Sequence, residues 1–412
     1  MRREVVYGFI DQALISAMHF SIGFFFIKKA PKEDYGLYSI AFASILFLIG
    51  LSNAVITTQM TVNAVDRPEG QRDLYCHEML LAQTIILIPI IILVFLIVWS
   101  CKSFGLVGLE SAQFIVVVAA AGSGAIFHEF FRRLYFLRLK PHLVLLIDFA
   151  RLLLLIVMTF IFLKSDIYPN FHTMMVAGYG LSAVLSGYIG YKIAYLPIKS
   201  TLRGATESLL EAWLNGKWAT AGVSVTWLQN QSYTYLLAAF SGTSAIADAN
   251  ASRLFFAPIA MLTTSFARIF MPRLSIMRSK GEINTIAKQS RKIIIVIMAI
   301  VTGYAVVVLT LKDIVLNSFF PAKYQNITPL IIAWMLYFLF QGVRTNASLI
   351  LQVFKKFKYL TISSAVINAT ITLLCVVLIH YFGVIGNIAG MALGELILSI
   401  VLWRMFDRFL AA

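Results

Sequence analysis

Residues 145–156 read LLIDFARLLLLI. Ten of the twelve side chains are apolar, and the other two, Asp148 and Arg151, carry opposite full charges. The apolar run continues on both sides, from 142 to 163. That is the length a helix needs to cross a hydrocarbon layer of roughly 30 Å. A charge inside that layer is costly, and it is found where it faces other protein or water. This stretch therefore points to a membrane-embedded helix whose charged groups face a protein interior.

The whole chain agrees. Its 412 residues are 60% hydrophobic and only 13% charged, against about 25% charged in a soluble domain. Mean hydropathy is +0.84. The composition predicts an all-α polytopic membrane protein. Apolar runs of spanning length occur at 5–27, 36–63, 78–99, 112–136, 142–163, 173–195, 216–240, 244–271, 292–312, 327–353, 359–382 and 384–405, twelve in all. The seventh is the most polar at its centre, through Gln229, Asn230 and Gln231. The N-terminal MRREVVYGFIDQAL has a basic start but no small-residue cleavage site, and reads as an uncleaved first span.

A net charge of +15 suggests nucleic acid in a soluble chain. Here its distribution argues otherwise. With both termini cytoplasmic, 23 basic residues fall in inner segments, seven in outer segments and four inside spans. That follows the positive-inside rule, and a basic inner belt also suits anionic membrane lipids. No nucleic-acid-binding module is present. The expected organisation is two six-helix halves around a central cavity, 1–198 and 216–412, joined by a cytoplasmic linker at 199–215. In the linker, Ser208 and Glu211 have capping-box spacing, which predicts a short interfacial helix.

Reaction chemistry has little to work with. Zincin, serine-hydrolase and phosphate-loop motifs are missing. Cys76, Cys101 and Cys375 lie in separate segments without metal-ligand spacing and read as free thiols. Every loop is too short to fold as a catalytic domain. The sequence thus predicts no catalytic residues, no metal site and no cofactor. His128 and Glu129 read as interfacial partners of Arg132 and Arg133 at a span end.

What remains are polar groups at depth. Arg151, Arg253 and Arg344 each lie near mid-membrane by residue count. Asp148 is three residues from Arg151 and reads as its local partner. Arg344 has no acid one turn away, and Asp248 is poorly spaced to pair with Arg253. Asp11 and Glu395 are further buried acids, and Arg268 is shallower. Gly386, Gly390 and Gly394 form a small-residue ladder that predicts close helix packing. Pro89 and Pro258 predict kinks in the third and eighth spans.

The layout resembles a family. Twelve spans in about 400 residues are similar to the Wzx-type polysaccharide repeat-unit flippases of the multidrug/oligosaccharidyl-lipid/polysaccharide (MOP) exporter superfamily. The resemblance is carried by KKAPKEDYGLYSIAFASI (28–45), HEFFRRLYFLRLKPHLVLLIDFARLLLL (128–155) and YFGVIGNIAGMALGELI (381–397). The seventh and eighth spans match the pattern less closely. The resemblance implies a multi-pass protein of the inner membrane that moves undecaprenyl-pyrophosphate-linked oligosaccharide from the cytoplasmic to the outer leaflet, for O-antigen or capsule synthesis. On that reading Arg151, Arg253 and Arg344 bind pyrophosphate. Gln229, Asn230, Gln231, Tyr233 and Asn346 line a sugar path. Asp11, Asp148, Asp248 and Glu395 act in H+ or Na+ coupling or as charge partners. A polysaccharide polymerase and a chain-length regulator are candidate partners. The competing reading is a cation-coupled multidrug antiporter of the same superfamily.

Overall fold

The computed structural model describes residues 2–65, 67–164, 170–196, 200–260, 262–263, 270, 274, 277–278, 280–354 and 356–411. Among these the regular structure is entirely helical. The principal helices are α1 (Arg2–Lys29), α2 (Lys32–Ser52), α3 (Thr58–Val65), α4 (Glu69–Ser103), α5 (Leu109–Leu137), α6 (Pro141–Lys164), α7 (Phe171–Ala194), α8 (Leu202–Phe240), α9 (Thr243–Arg253), α10 (Ile283–Phe319), α11 (Thr328–Val353) and α12 (Phe357–Ala411). A π-helical turn, Asn53–Thr57, joins α2 to α3.

Among the described residues eight segments are long and apolar enough to cross a membrane, and the chain is a multi-pass membrane protein. The expected spans 173–195 and 216–240 are helical, as parts of α7 and α8, but are not among the eight. Their glycines, serines and amides lower the mean hydropathy. The expected span 244–271 lies partly outside the described residues, as does Arg268.

One of the eight segments, Lys358–Arg408, holds two expected spans. It breaks at Gly383, whose φ of 58° is open to glycine and strained for other residues. Past the break the second arm folds back on the first. A Cβ on Gly386 would stand 2.2 Å from the Leu378 carbonyl oxygen, and one on Gly390 would stand 2.6 Å from Cys375 Sγ. The glycine ladder is therefore the surface on which the two arms meet. At Pro258 the sequence predicts a kink, and the helix gives way to a 3-10 turn at Leu254–Phe256. The Phe255 carbonyl there accepts the Tyr304 hydroxyl at 2.7 Å.

Contacts group the chain into two compact units: residues 1–19 with 40–224, and residues 20–39 with 225–412. In the first unit α5 and α7 pack at backbone distance. A Cβ on Gly180 would lie 2.6 Å from Ala121 Cα, and one on Gly190 would lie 2.9 Å from Phe131 Cβ. Small side chains on α7 bring the two helix axes close, as membrane helices without large interlocking side chains require. A buried cluster around Met60, Tyr75, Met79, Phe130, Phe131 and Ile147 fills the inner part of this unit.

The linker helix differs from its expected form. It starts at Leu202, earlier than the Ser208 capping box, and runs unbroken into α8. Thr201 caps it, its hydroxyl accepting the Gly204 N–H at 3.1 Å. Ser208 and Glu211 turn sideways instead. Ser208 donates to Glu78 at 2.8 Å, and Glu211 accepts from Asn63 and Arg67 at 3.2 and 2.8 Å.

In the second unit the start of α2 is tied to α9. Lys32 pairs with Asp248 at 2.6 Å, and Gly36 sits against the Thr243 backbone, where a Cβ would clash at 2.0 Å.

Candidate functional site

In the first unit the charged residues of α1, α5 and α6 converge. Arg132 on α5 spends its guanidinium on three carboxylates. Nε donates to Asp148 at 2.7 Å, Nη1 to Glu129 at 2.7 Å and Nη2 to Asp11 at 2.9 Å. Arg133 takes the second Glu129 oxygen at 2.8 Å. The second Asp148 oxygen lies 2.7 Å from His128 Nε2, and His128 Nδ1 lies 2.9 Å from Ser186 Oγ on α7. A neutral ring that donates Nε2–H to the carboxylate leaves Nδ1 to accept the serine hydroxyl. All of these groups except Arg133 are buried or nearly so. Burying a charge is costly, and pairing with hydrogen bonds of this kind offsets the cost.

The expected local pair is not made. Asp148 gives both oxygens to α5, and Arg151 is left over. The Arg151 side chain is 8% exposed, and its Nε and Nη2 have no hydrogen-bond partner. Its guanidinium lies over the Tyr179 ring, 4.4 Å from the centroid, and is held by cation–π attraction. Arg151 lines a cavity of about 130 Å³. His19, Glu129, Arg132, Asp148 and Tyr179 complete its polar wall, and Leu14, Met18 and Leu46 are among its apolar lining.

In the second unit Arg253 ends α9 and also rests on aromatic rings. Its Cζ is 5.1 Å from the Trp334 centroid and 5.5 Å from that of Tyr233. Nη1 donates to the Tyr233 hydroxyl at 3.0 Å, and that hydroxyl donates to Asn250 Oδ1 at 2.6 Å. Trp334 is fixed by its own N–H to the Ala249 carbonyl at 2.9 Å. No acid pairs with Arg253 among the described residues, and Asp248 is held by Lys32.

Arg344 is the opposite case. Its Nε bonds Glu395, which is 2% exposed, and the other Glu395 oxygen accepts Gln229 Nε2 at 2.8 Å. Arg344 has no acid one turn away, as the spacing indicates, and an acid 51 residues away in sequence pairs with it instead.

The expected sugar-path residues do not form one lining. Gln229 is bound to Glu395, and Asn230 donates to the Thr226 carbonyl of its own helix at 2.8 Å. Tyr233 is buried, and its hydroxyl is engaged with Arg253 and Asn250, so it supports Arg253 and does not line an open path. Asn346 is buried beside a small, mostly apolar cavity of about 20 Å³ with Ile293, Ile297 and Leu349. Gln231 is half-buried. The expected pairing of Glu129 with Arg132 and Arg133 is made, and His128 and Glu129 are buried in the protein with Arg132 nearly so. The signal was present: Glu129 stands three and four residues before Arg132 and Arg133, a helical ion-pair spacing.

No protein-family model matches this sequence, and no curated protein sequence matches it. Solved structures do match over nearly the whole chain. The lipid II flippase MurJ in an inward closed conformation superposes with a TM-score of 0.77 at 13% identity, covering 99% of this chain and 88% of that one. An inward-facing multidrug resistance MATE family transporter of the MOP superfamily gives 0.70 at 15% identity, covering 99% and 98%. A MOP superfamily transporter from Pyrococcus furiosus with a binding pocket of reverse polarity gives 0.62 at 16% identity, covering 99% and 92%. The fold is that of the MOP-superfamily transporters. At these identities the likeness shows the fold alone.

Proposed function

We propose that the protein is a flippase that carries undecaprenyl-pyrophosphate-linked oligosaccharide from the cytoplasmic to the outer leaflet of the inner membrane by alternating access, for surface polysaccharide synthesis. The observation that carries this reading is the pair of arginines held on aromatic faces. Arg151 has two free N–H groups beside a cavity, and Arg253 has no acid partner among the described residues. A guanidinium stays charged under all physiological conditions, and its forked N–H groups match phosphate oxygens. A buried cation left without an acid suits a cargo that brings its own negative charge. Arg344 is removed from the pyrophosphate site, because Glu395 neutralises it.

Among the acids, we assign ion coupling to Asp11. Its Oδ1 is buried and makes no hydrogen bond, whereas the Asp248 Oδ1, which also makes none, is ion-paired with Lys32. Asp148, Asp248 and Glu395 act as charge partners of Arg132, Lys32 and Arg344. A polysaccharide polymerase in the same membrane is the reaction class that consumes the delivered product.

The multidrug antiporter reading has one observation in its favour, the three buried carboxylates around Arg132, which would suit a cationic drug. All three are engaged by arginine, which weighs against it. Reconstitution into sealed vesicles decides between the two. A fluorescent undecaprenyl-pyrophosphate oligosaccharide should change leaflet with the protein present, and a cationic dye should not accumulate under a proton or sodium gradient. Dye transport without lipid flipping would replace this reading with the antiporter.

A further inference from the structure

Asp148 and Arg151 stand three residues apart on α6, a spacing at which helical side chains meet. Both line the same cavity of about 130 Å³. In a dry interior an aspartate so placed captures the arginine and closes its N–H groups to any other anion. It does not do so here, because α5 occupies both of its oxygens, through His128 at 2.7 Å and Arg132 at 2.7 Å. We propose that Arg132 is the positioning residue that keeps Arg151 open to cargo, by holding Asp148 away from it. The proposal rests on the reading of Arg151 as an anion site.

The division of labour follows from the hydrogen-bond geometry. The Arg132 guanidinium faces three carboxylates with Nε, Nη1 and Nη2, so each of its nitrogens is already engaged by the protein. Its positive charge is shared among Asp148, Glu129 and Asp11, and Arg133 completes Glu129. Arg151 receives none of that negative charge through a hydrogen bond, and Tyr179 holds it from its ring face, where no N–H is consumed. His128 alone cannot replace Arg132. It engages one Asp148 oxygen and is itself fixed from behind by Ser186 at 2.9 Å. Loss of Arg132 frees the other oxygen on the wall that Arg151 lines.

Binding of inorganic pyrophosphate to the full-length protein in detergent, measured by calorimetry, tests this. In Arg132→Gln, Asp148 captures Arg151. If one molecule in ten keeps Arg151 free, affinity falls about tenfold, since apparent affinity scales with the competent fraction. Arg132→Gln/Asp148→Asn should return affinity to near the wild-type value although Arg132 is still absent. Arg132→Gln/Asp11→Asn removes the same amount of charge but leaves Asp148 able to capture Arg151, so it should stay weak. Equal recovery in both double variants would show that only charge balance matters and overturn the proposal. Wild-type affinity in a folded Arg132→Gln would also overturn it. Should Arg132→Gln not fold, the Asp148 double variant carries the test, and weak binding by it when folded counts against the proposal. Arg151→Ala separates the two levels. If it binds pyrophosphate like the wild type, the anion site itself is wrong. If it loses binding while Arg132→Gln does not, only the role of Arg132 falls.

Discussion

Arg151 and Arg344 look alike along the chain, each an arginine deep in an apolar helix. Sequence spacing gives Arg151 a local acid and leaves Arg344 bare. The structure reverses this. Arg344 is neutralised by Glu395 from α12, and Arg151 is bypassed by its neighbour Asp148 and rests on Tyr179. The contrast teaches that in a helical membrane protein the partner of a buried charge is set by which helices are adjacent. Spacing along one helix only proposes a partner. It also separates two settings for arginine in one chain: one closed by its acid, and one supported by a ring that leaves its N–H groups open.

The largest effect is expected where the closed pair is broken. Arg344→Met leaves Glu395 buried and uncompensated, at a cost of about 3–5 kcal/mol. Thermal unfolding in detergent should show a clear loss. The double change Arg344→Met/Glu395→Leu should recover most of it, because an apolar replacement of a buried pair is often close to neutral. If the single variant is as stable as wild type but fails to bind pyrophosphate, Arg344 belongs with Arg151 and the contrast collapses.

A smaller effect is expected at Gly180, where an added Cβ meets the α5 backbone. Overpacking of this kind costs about 1–3 kcal/mol. Gly180→Ala should lower stability and also pyrophosphate affinity, because α5 carries His128 and Arg132. Stability lost with affinity intact would mean that the network tolerates displacement of its helices.

Next comes the aromatic support. Tyr179→Leu removes a cation–π contact of about 0.5–2 kcal/mol from Arg151 and should weaken pyrophosphate binding several-fold, with little change in unfolding temperature. Unchanged affinity would show that Tyr179 only fills space. The smallest effect is expected near the start of α8. Ser208→Ala removes the hydrogen bond to Glu78 and should cost about 1 kcal/mol of stability without touching anion affinity.

Much of the architecture was legible in sequence because hydrophobic length is a local property. The run 142–163 became α6, and 359–382 and 384–405 became the two arms of α12, joined at a glycine that only the ladder at Gly386, Gly390 and Gly394 hinted at. Segments rich in glycine, serine and amide groups, such as α7 and the middle of α8, carry a weaker signal for the same reason. At the site, spacing along the chain picks out Arg151, Arg253 and Arg344, but it does not show that Asp148 bonds α5 or that Glu395 pairs with Arg344. Arg132 reads as a span-end residue because basic residues there usually mark the cytoplasmic face. The three acids that draw Arg132 inward lie on three helices, and no one-dimensional pattern brings Asp11, Glu129 and Asp148 together.

The central claim is that open arginines carry the cargo and closed ones do not. It is tested most directly by flipping of a fluorescent undecaprenyl-pyrophosphate oligosaccharide in sealed proteoliposomes, with Arg151→Ala, Arg253→Ala and Arg344→Met/Glu395→Leu run beside the wild type. The account predicts that flipping collapses in the first two and persists in the third. Flipping that survives the loss of Arg151 and Arg253 and fails in the neutralised pair would contradict it.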